Sequence, residues 1–234
     1  WHTEIAMRNP ADSAQQAPAL PKSRYAFLTL PNYSLIAVSN AVEPLRMANR
    51  VAGQAVYEWA IVSQDGRPVL ASSGLDLAPT IALDKLGKVD ILFVCGGINV
   101  RDAVSAPLLT ALRRLAERRV ALGGLCTGGY ALARAGLLDN YRATIHWENL
   151  PALREEFPRV QINDQVFSID RDRYTCSGGT APLDLMLNLI QLKHGPQVSQ
   201  QVSEQFVLER VRSAEDRQYV PLRAQVGASH RSMI

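Results

Sequence analysis

The sequence predicts an α/β fold: a doubly wound, mostly parallel sheet with helices on both faces and a cysteine on a sharp strand-to-helix turn. Three observations carry this expectation. Short apolar runs of strand type alternate with helical patterns, as in a parallel sheet buried on both faces. One such run, Val89–Val94, is uninterrupted and stops at Cys95-Gly96-Gly97. Another, Val120–Leu122, leads into Gly124-Leu125-Cys126-Thr127-Gly128, which has the spacing of a nucleophile elbow. A residue on so tight a turn strains its own backbone. It needs neighbours without side chains where strand and helix nearly touch.

Taken in order, Trp1 to Ser23 is rich in Ala, Pro and Gln, lacks periodicity and reads as a disordered tail. The first strand is Tyr25–Leu30, closed by Pro31-Asn32. A helical pattern runs from Leu35 to Ala52 with Gly53 as its C′ residue; Pro44 either kinks it or starts its regular part. Tyr57–Ser63 is the second strand, and Arg67 to Pro79 alternates loosely as a small hairpin. Pro107–Arg119 is amphipathic, with Leu108, Leu112 and Leu115 on one face and Arg113, Arg114, Glu117 and Arg118 on the other.

Beyond the elbow the pattern changes. Leu150–Phe157 reads as a short helix, and Val160–Asn163, Val166–Ile169 and Arg173–Cys176 as short strands. Ser177-Gly178-Gly179 leads into an apolar helix, Ala181–Leu192, and Gln197 to Arg212 is a final amphipathic helix. Residues 24–212 therefore form the domain, on a flavodoxin-like plan. Ser213 to Ile234 is polar, carries Arg217, Arg223 and Arg231, and has no apolar face, so it reads as a linker.

Composition narrows the function. The 234 residues are 47% hydrophobic and 20% charged with a formal net charge of +3, enough for one substantial core and too little charge for this chain alone to grip nucleic acid. Cys95, Cys126 and Cys176 form no C-x-x-C pair, so neither a disulfide framework nor a zinc site is expected, and a cytoplasmic location is the default. No apolar run approaches the length of a membrane span.

The candidate chemistry centres on Cys126. At a helix N-terminus its thiolate would be favoured. His146, in what reads as another short strand, and Glu148 on the same face could act as base and orienter; a buried inert cysteine beside a core histidine is the alternative. Ligands in such sheets sit beyond the carboxyl ends of the strands, so Gly96-Gly97-Ile98 could aim backbone N–H groups at the same pocket, or simply turn the chain. Glu43 could enter it or be solvated. Tyr33, Tyr130 and Trp147 could cage a ligand cation or belong to the core. Cys95 and Cys176 look like small hydrophobes, His194 like a helix C-terminal partner, and His2 and His230 lie in the tails. The resulting set of ligand-binding candidates is Glu43, Gly97, Ile98, Cys126, Thr127, His146 and Trp147, with no metal and no cofactor called for.

These residues also carry a resemblance. LCTGGYALARAGLLDNYRATIHW resembles the matching segment of the class I glutamine amidotransferase-like proteins of the DJ-1/PfpI type. With AVEPLRMANRVAG, FVCGG and TCSGGTAPLDLMLNLI, it is similar to the sensor domain of GlxA-type, AraC-family transcriptional regulators, and PLRAQVGASH to the segment before their helix-turn-helix motifs. The resemblance covers roughly Tyr25 to Arg212. It implies a non-enzymatic domain binding a small-molecule effector, with DNA contacted through a domain absent from this chain, and a homodimer. The AVEPLRMAN and IHWEN variants point to regulators of quaternary-amine catabolism, with effectors such as glycine betaine, carnitine or a related amino acid. Family enzymes use the elbow cysteine with a carboxylate from the first helix; here Leu35 to Asn40 contains no acid, and Glu43 is the only carboxylate of that helix. The alternative is a Cys-dependent hydrolase, amidase or glyoxalase-like enzyme using Cys126 and His146.

Overall fold

The computed structural model describes residues 22–78 and 81–221. Most of the expected tail, Pro79 and the end of the expected linker lie outside the described residues. The first strand, β1 (Ser23–Thr29), begins within the expected tail, with Ser23 already buried. It leads into α1 (Leu35–Val51), β2 (Tyr57–Ser63), the hairpin β3 (Val69–Leu70) and β4 (Asp76–Leu77), and β5 (Ile81–Ala82). The chain continues through β6 (Ile91–Cys95), α2 (Val100–Ala103), α3 (Ala106–Glu117), β7 (Ala121–Leu125) and α4 (Gly129–Arg134). Then come β8 (Arg142–Ala143), α5 (Leu150–Glu156), β9 (Gln161–Ile162), β10 (Phe167–Asp170), β11 (Arg173–Cys176), α6 (Ala181–His194) and α7 (Pro196–Gln205).

The main sheet runs β10-β11-β7-β6-β1-β2-β5 and is parallel except for the edge strand β10, while β8 and β9 pair apart from it. The doubly wound expectation holds. Alternating side chains feed two cores: Phe27, Phe93 and Leu125 with α1, α6 and α7 on one face, Leu28, Val94 and Leu122 with α3 and α4 on the other. Phe27 stacks on Phe93 at 5.8 Å between ring centroids. Gly123 makes room for that ring, since a Cβ there would lie 2.3 Å from it.

The helices follow their sequence signals with two exceptions. Ser105 caps α3 by accepting from the Leu108 N–H, and Leu108, Leu112 and Leu115 are buried as their spacing requires. Pro44 lies inside α1, which neither starts nor ends there. Its ring removes only the donor to the Asn40 carbonyl, and burial of Leu45 and Ala48 carries the helix past the gap. Gly53 follows the helix with φ +64°, the left-handed C′ geometry that favours glycine. The final helix is shorter than its amphipathic pattern suggested, ending at Gln205 rather than Arg212. Among the described residues, no helix is long and apolar enough to cross a membrane.

Candidate functional site

The chain winds outward from β1 to β2 and β5, then returns to β6 on the other side of β1. The sheet therefore switches direction between β1 and β6, and their carboxyl ends leave a crevice beside the end of β7. Cys126 stands there with φ +57°, immediately after β7. A left-handed non-glycine residue at this place is the strained elbow that the spacing predicts.

The glycines explain how the turn closes. A Cβ on Gly124 would lie 2.3 Å from the Gly129 nitrogen, one on Gly128 1.9 Å from the Val94 carbonyl oxygen, and one on Gly96 2.5 Å from the Gly128 nitrogen. The strand, the turn and the neighbouring loop touch backbone to backbone. Thr127 completes the seam by donating from Oγ1 to the Gly97 carbonyl at 2.7 Å. Thr127 is thereby a brace for the loop.

His146 is brought to Cys126 by the chain after β8. It lies in a loop before a single 3-10 turn (Trp147–Asn149), not in a strand, and its N–H donates to the Cys126 carbonyl at 3.3 Å. Gly178, after β11, closes the other side. A methyl group there would sit 3.2 Å from Cys126 Sγ, 2.7 Å from His146 Cδ2 and 3.4 Å from His146 Nε2. Cys126, His146 and Gly178 thus surround one small space. Glu148 reaches His146 loosely, with 3.6 Å between Oε2 and Nδ1, and is itself exposed. Among the described residues, no hydrogen bond joins Sγ to the imidazole.

The electrostatics reverse the expected thiolate. Burial pushes the Cys126 thiol up to about 11, the Thr127 N–H opposes it and the Glu148 charge adds to it. The helix behind the elbow has only six residues, too short a dipole to offset that desolvation. Burial also lowers His146, with Glu148 opposing, so a neutral imidazole faces a protonated thiol. Alkylation of Cys126 by iodoacetamide at pH 7.5 is accordingly expected to run on the order of 100-fold slower than that of free cysteine. Peptide-resolved mass spectrometry would check this, and a rate that levels off by pH 8 would contradict it.

Other candidates fall differently. The Ile98 N–H is already donated to the Asn32 carbonyl at 3.1 Å, which corrects the expected Gly97–Ile98 donor pair. Only the Gly97 N–H is left without an acceptor among the described residues. Glu43 pairs with Arg46 at 2.7 Å on the outer side of α1. The side chain of α1 that reaches the site is Asn40, whose Nδ2 donates to the Gly179 carbonyl at 3.3 Å. Sequence reasoning searched that helix for an acid and missed the amide. Tyr33 is fully buried, and Tyr130 is buried with its hydroxyl donating to Glu156, so neither belongs to the pocket. Trp147 is half-buried beside His146, ring centroids 5.6 Å apart. Cys95 and Cys176 are free, buried thiols in the apolar core, as expected. His194 ends α6, its ring edge-on to Tyr57.

Fold and site together define a doubly wound α/β protein with a cysteine elbow at the switch of its sheet. The DJ-1/PfpI family profile matches residues 26–192, and the chain belongs to that family. It is 46% identical over 218 residues to the HTH-type transcriptional regulator GbdR of Pseudomonas aeruginosa, covering 91% of this chain and 59% of the relative. To the HTH-type transcriptional regulator CdhR of the same organism it is 46% identical over 208 residues, covering 89% and 62%. The chain thus spans about three fifths of the length of these curated relatives. Among solved structures, an AraC family transcriptional regulator from Pseudomonas putida superimposes with a TM-score of 0.72 at 32% identity, covering 79% of this chain and 99% of that one. An enzyme, the isonitrile hydratase of Pseudomonas putida, is 33% identical over 150 residues, covering 62% and 64%.

Proposed function

We propose that the chain is the effector-binding part of a transcriptional regulator. The effector is a small zwitterionic metabolite such as glycine betaine, carnitine or a related amino acid, and the genes controlled serve its catabolism. The relatives named above are transcriptional regulators, and the observation that carries the reading to the site is the protonated, desolvated thiol of Cys126. A pocket with a neutral thiol, a neutral imidazole and an unused Gly97 N–H suits recognition better than attack. The effector carboxylate would lie toward Gly97 and the elbow, and its cationic end toward Trp147 and Glu148. DNA would be contacted through a region outside this chain, in the cytoplasm, by a homodimer matching paired half-sites.

The test is a calorimetric titration of the chain with glycine betaine, dimethylglycine and carnitine, followed by mass spectrometry of the recovered ligand. Saturable binding with intact ligand is expected, with a stabilisation of about 2.7 kcal/mol at 100 times Kd. Gly178→Val is expected to abolish that binding while melting near the parent temperature, because the added methyls fill the space beside Sγ and His146.

A second reading is an enzyme using Cys126 and His146 with Glu148, favoured by their convergence and by the isonitrile hydratase relative. Consumption of a ligand that stops in Cys126→Ala would establish it and overturn the first.

A further inference from the structure

The segment after α7 contains neither helix nor strand and docks through polar groups. Arg212 pairs with the buried Asp184 of α6 through Nη2 at 2.6 Å and Nε at 2.9 Å, and Asn188 donates to its carbonyl at 3.1 Å. A turn follows, in which Asp216 accepts from the Ser213 N–H at 2.7 Å and from Arg210 Nη2 at 2.7 Å. The Val166 N–H then donates to the Asp216 carbonyl at 2.8 Å, and the Gln218 N–H to the Asp164 carbonyl at 2.8 Å.

The side chain of Gln218 reaches further in. Its Nε2 lies 2.9 Å from Thr144 Oγ1, 2.9 Å from the Ile145 carbonyl and 3.0 Å from the Gln165 carbonyl, three acceptors sharing two hydrogens. Its Oε1 accepts from Ser177 Oγ at 2.6 Å. Ile145 immediately precedes His146, and Ser177 immediately precedes Gly178. One amide therefore ties together the two chain segments that flank Cys126 Sγ.

We infer that Gln218 is a positioning residue of the Cys126 site, and that docking of the 213–218 segment and occupancy of the site are thereby coupled. The inference rests on the reading of that site as a binding pocket. A group inserted between Cys126 and Gly178 must move His146 or Gly178, and the amide cannot follow both. Release of the segment equally frees the two walls. Coupling of this kind is reciprocal, because each event changes the free energy of the other by the same amount. Arg212 stays anchored by Asp184, so the release is local, beginning at Ser213. A pocket event would thus reach the part of the chain that leads away from the domain.

The experiment uses iodoacetamide as the probe, so it needs no identified effector. Gln218→Ala and Gln218→Glu are compared with the parent for alkylation of Cys126 and for tryptic cleavage after Arg217. Gln218→Glu keeps the Ser177 bond but sets a carboxylate against the two carbonyls, so it should act at least as strongly. Both variants are expected to raise each rate by about fivefold or more, the lower range of measured couplings, with an intact circular dichroism spectrum. A Cys126 rate unchanged in both variants overturns the inference, whether or not cleavage rises. The reciprocal arm uses the unmutated chain and holds if the variants fail to fold. Alkylation at Cys126 should itself accelerate cleavage after Arg217, and an unchanged cleavage rate there overturns the coupling. Silence of the calorimetric panel would discard the amine effectors and leave these rates untouched, so the two readings fail separately.

Discussion

Gly128→Ala is expected to cost about 3 kcal/mol or more, enough to leave much of the chain unfolded. The backbone of Gly128 is ordinary for any residue, with φ −61° and ψ −23°, so the cost comes from contact alone. The new Cβ would lie 1.9 Å from the Val94 carbonyl oxygen, a backbone atom of a central strand that no rotamer change can move aside. The neighbouring residue supplies the control. At Gly129 a Cβ meets nothing closer than the Thr144 carbonyl at 3.6 Å, and the position opens α4. Gly129→Ala should be neutral or stabilising by up to about 1 kcal/mol, because alanine has fewer unfolded conformations to lose. Urea denaturation of the two variants decides the matter. Equal effects would show that the turn yields, contrary to the packing described.

The second large effect is expected at Asp184. Its carboxylate is buried beneath the segment that follows α7 and accepts from the Arg212 N–H at 2.8 Å besides the guanidinium. Asp184→Ala leaves that amide and Arg212 without their acceptor. Breaking a buried pair typically costs 3–5 kcal/mol, but Arg212 is one-third exposed and regains water, so about 2–3 kcal/mol is expected. Arg212→Ala combined with Asp184→Ala should cost less than the sum of the single changes. A loss below about 0.5 kcal/mol for Asp184→Ala would contradict the assignment.

The sheet and the elbow were legible because they are written in apolar periodicity and in glycine spacing. The site was legible only in part. Cys126, His146 and Glu148 do converge, yet the charge state of Cys126 depends on how deeply the turn is covered, which spacing does not encode. The Ile98 N–H is consumed by Asn32, a residue whose own positive φ of 60° belongs to a distant loop. Glu43 and Asn40 lie three residues apart on one helix, and which of them reaches the Gly178–Gly179 loop depends on how α1 rotates against α6. The stretch after α7 was read as a linker because it lacks an apolar face. That absence is real, but Gln218, Arg212 and Asp216 attach it through hydrogen bonds, and hydropathy patterns carry no trace of those.

The backbone-to-backbone seam under the pocket also bears on how specificity can diverge. Gly96, Gly97, Gly124 and Gly128 admit no added atom, so the pocket floor offers no route by which descendants could acquire a new ligand. Novelty must enter at the rim, where Asn40, Trp147, Glu148 and Gly178 can each change without disturbing the strands. Gly178 is the most permissive of these, since its φ lies outside the left-handed region and only side-chain atoms stand in the way. A laboratory selection for altered ligand preference should therefore enrich substitutions at those four rim positions and return the four floor glycines unchanged.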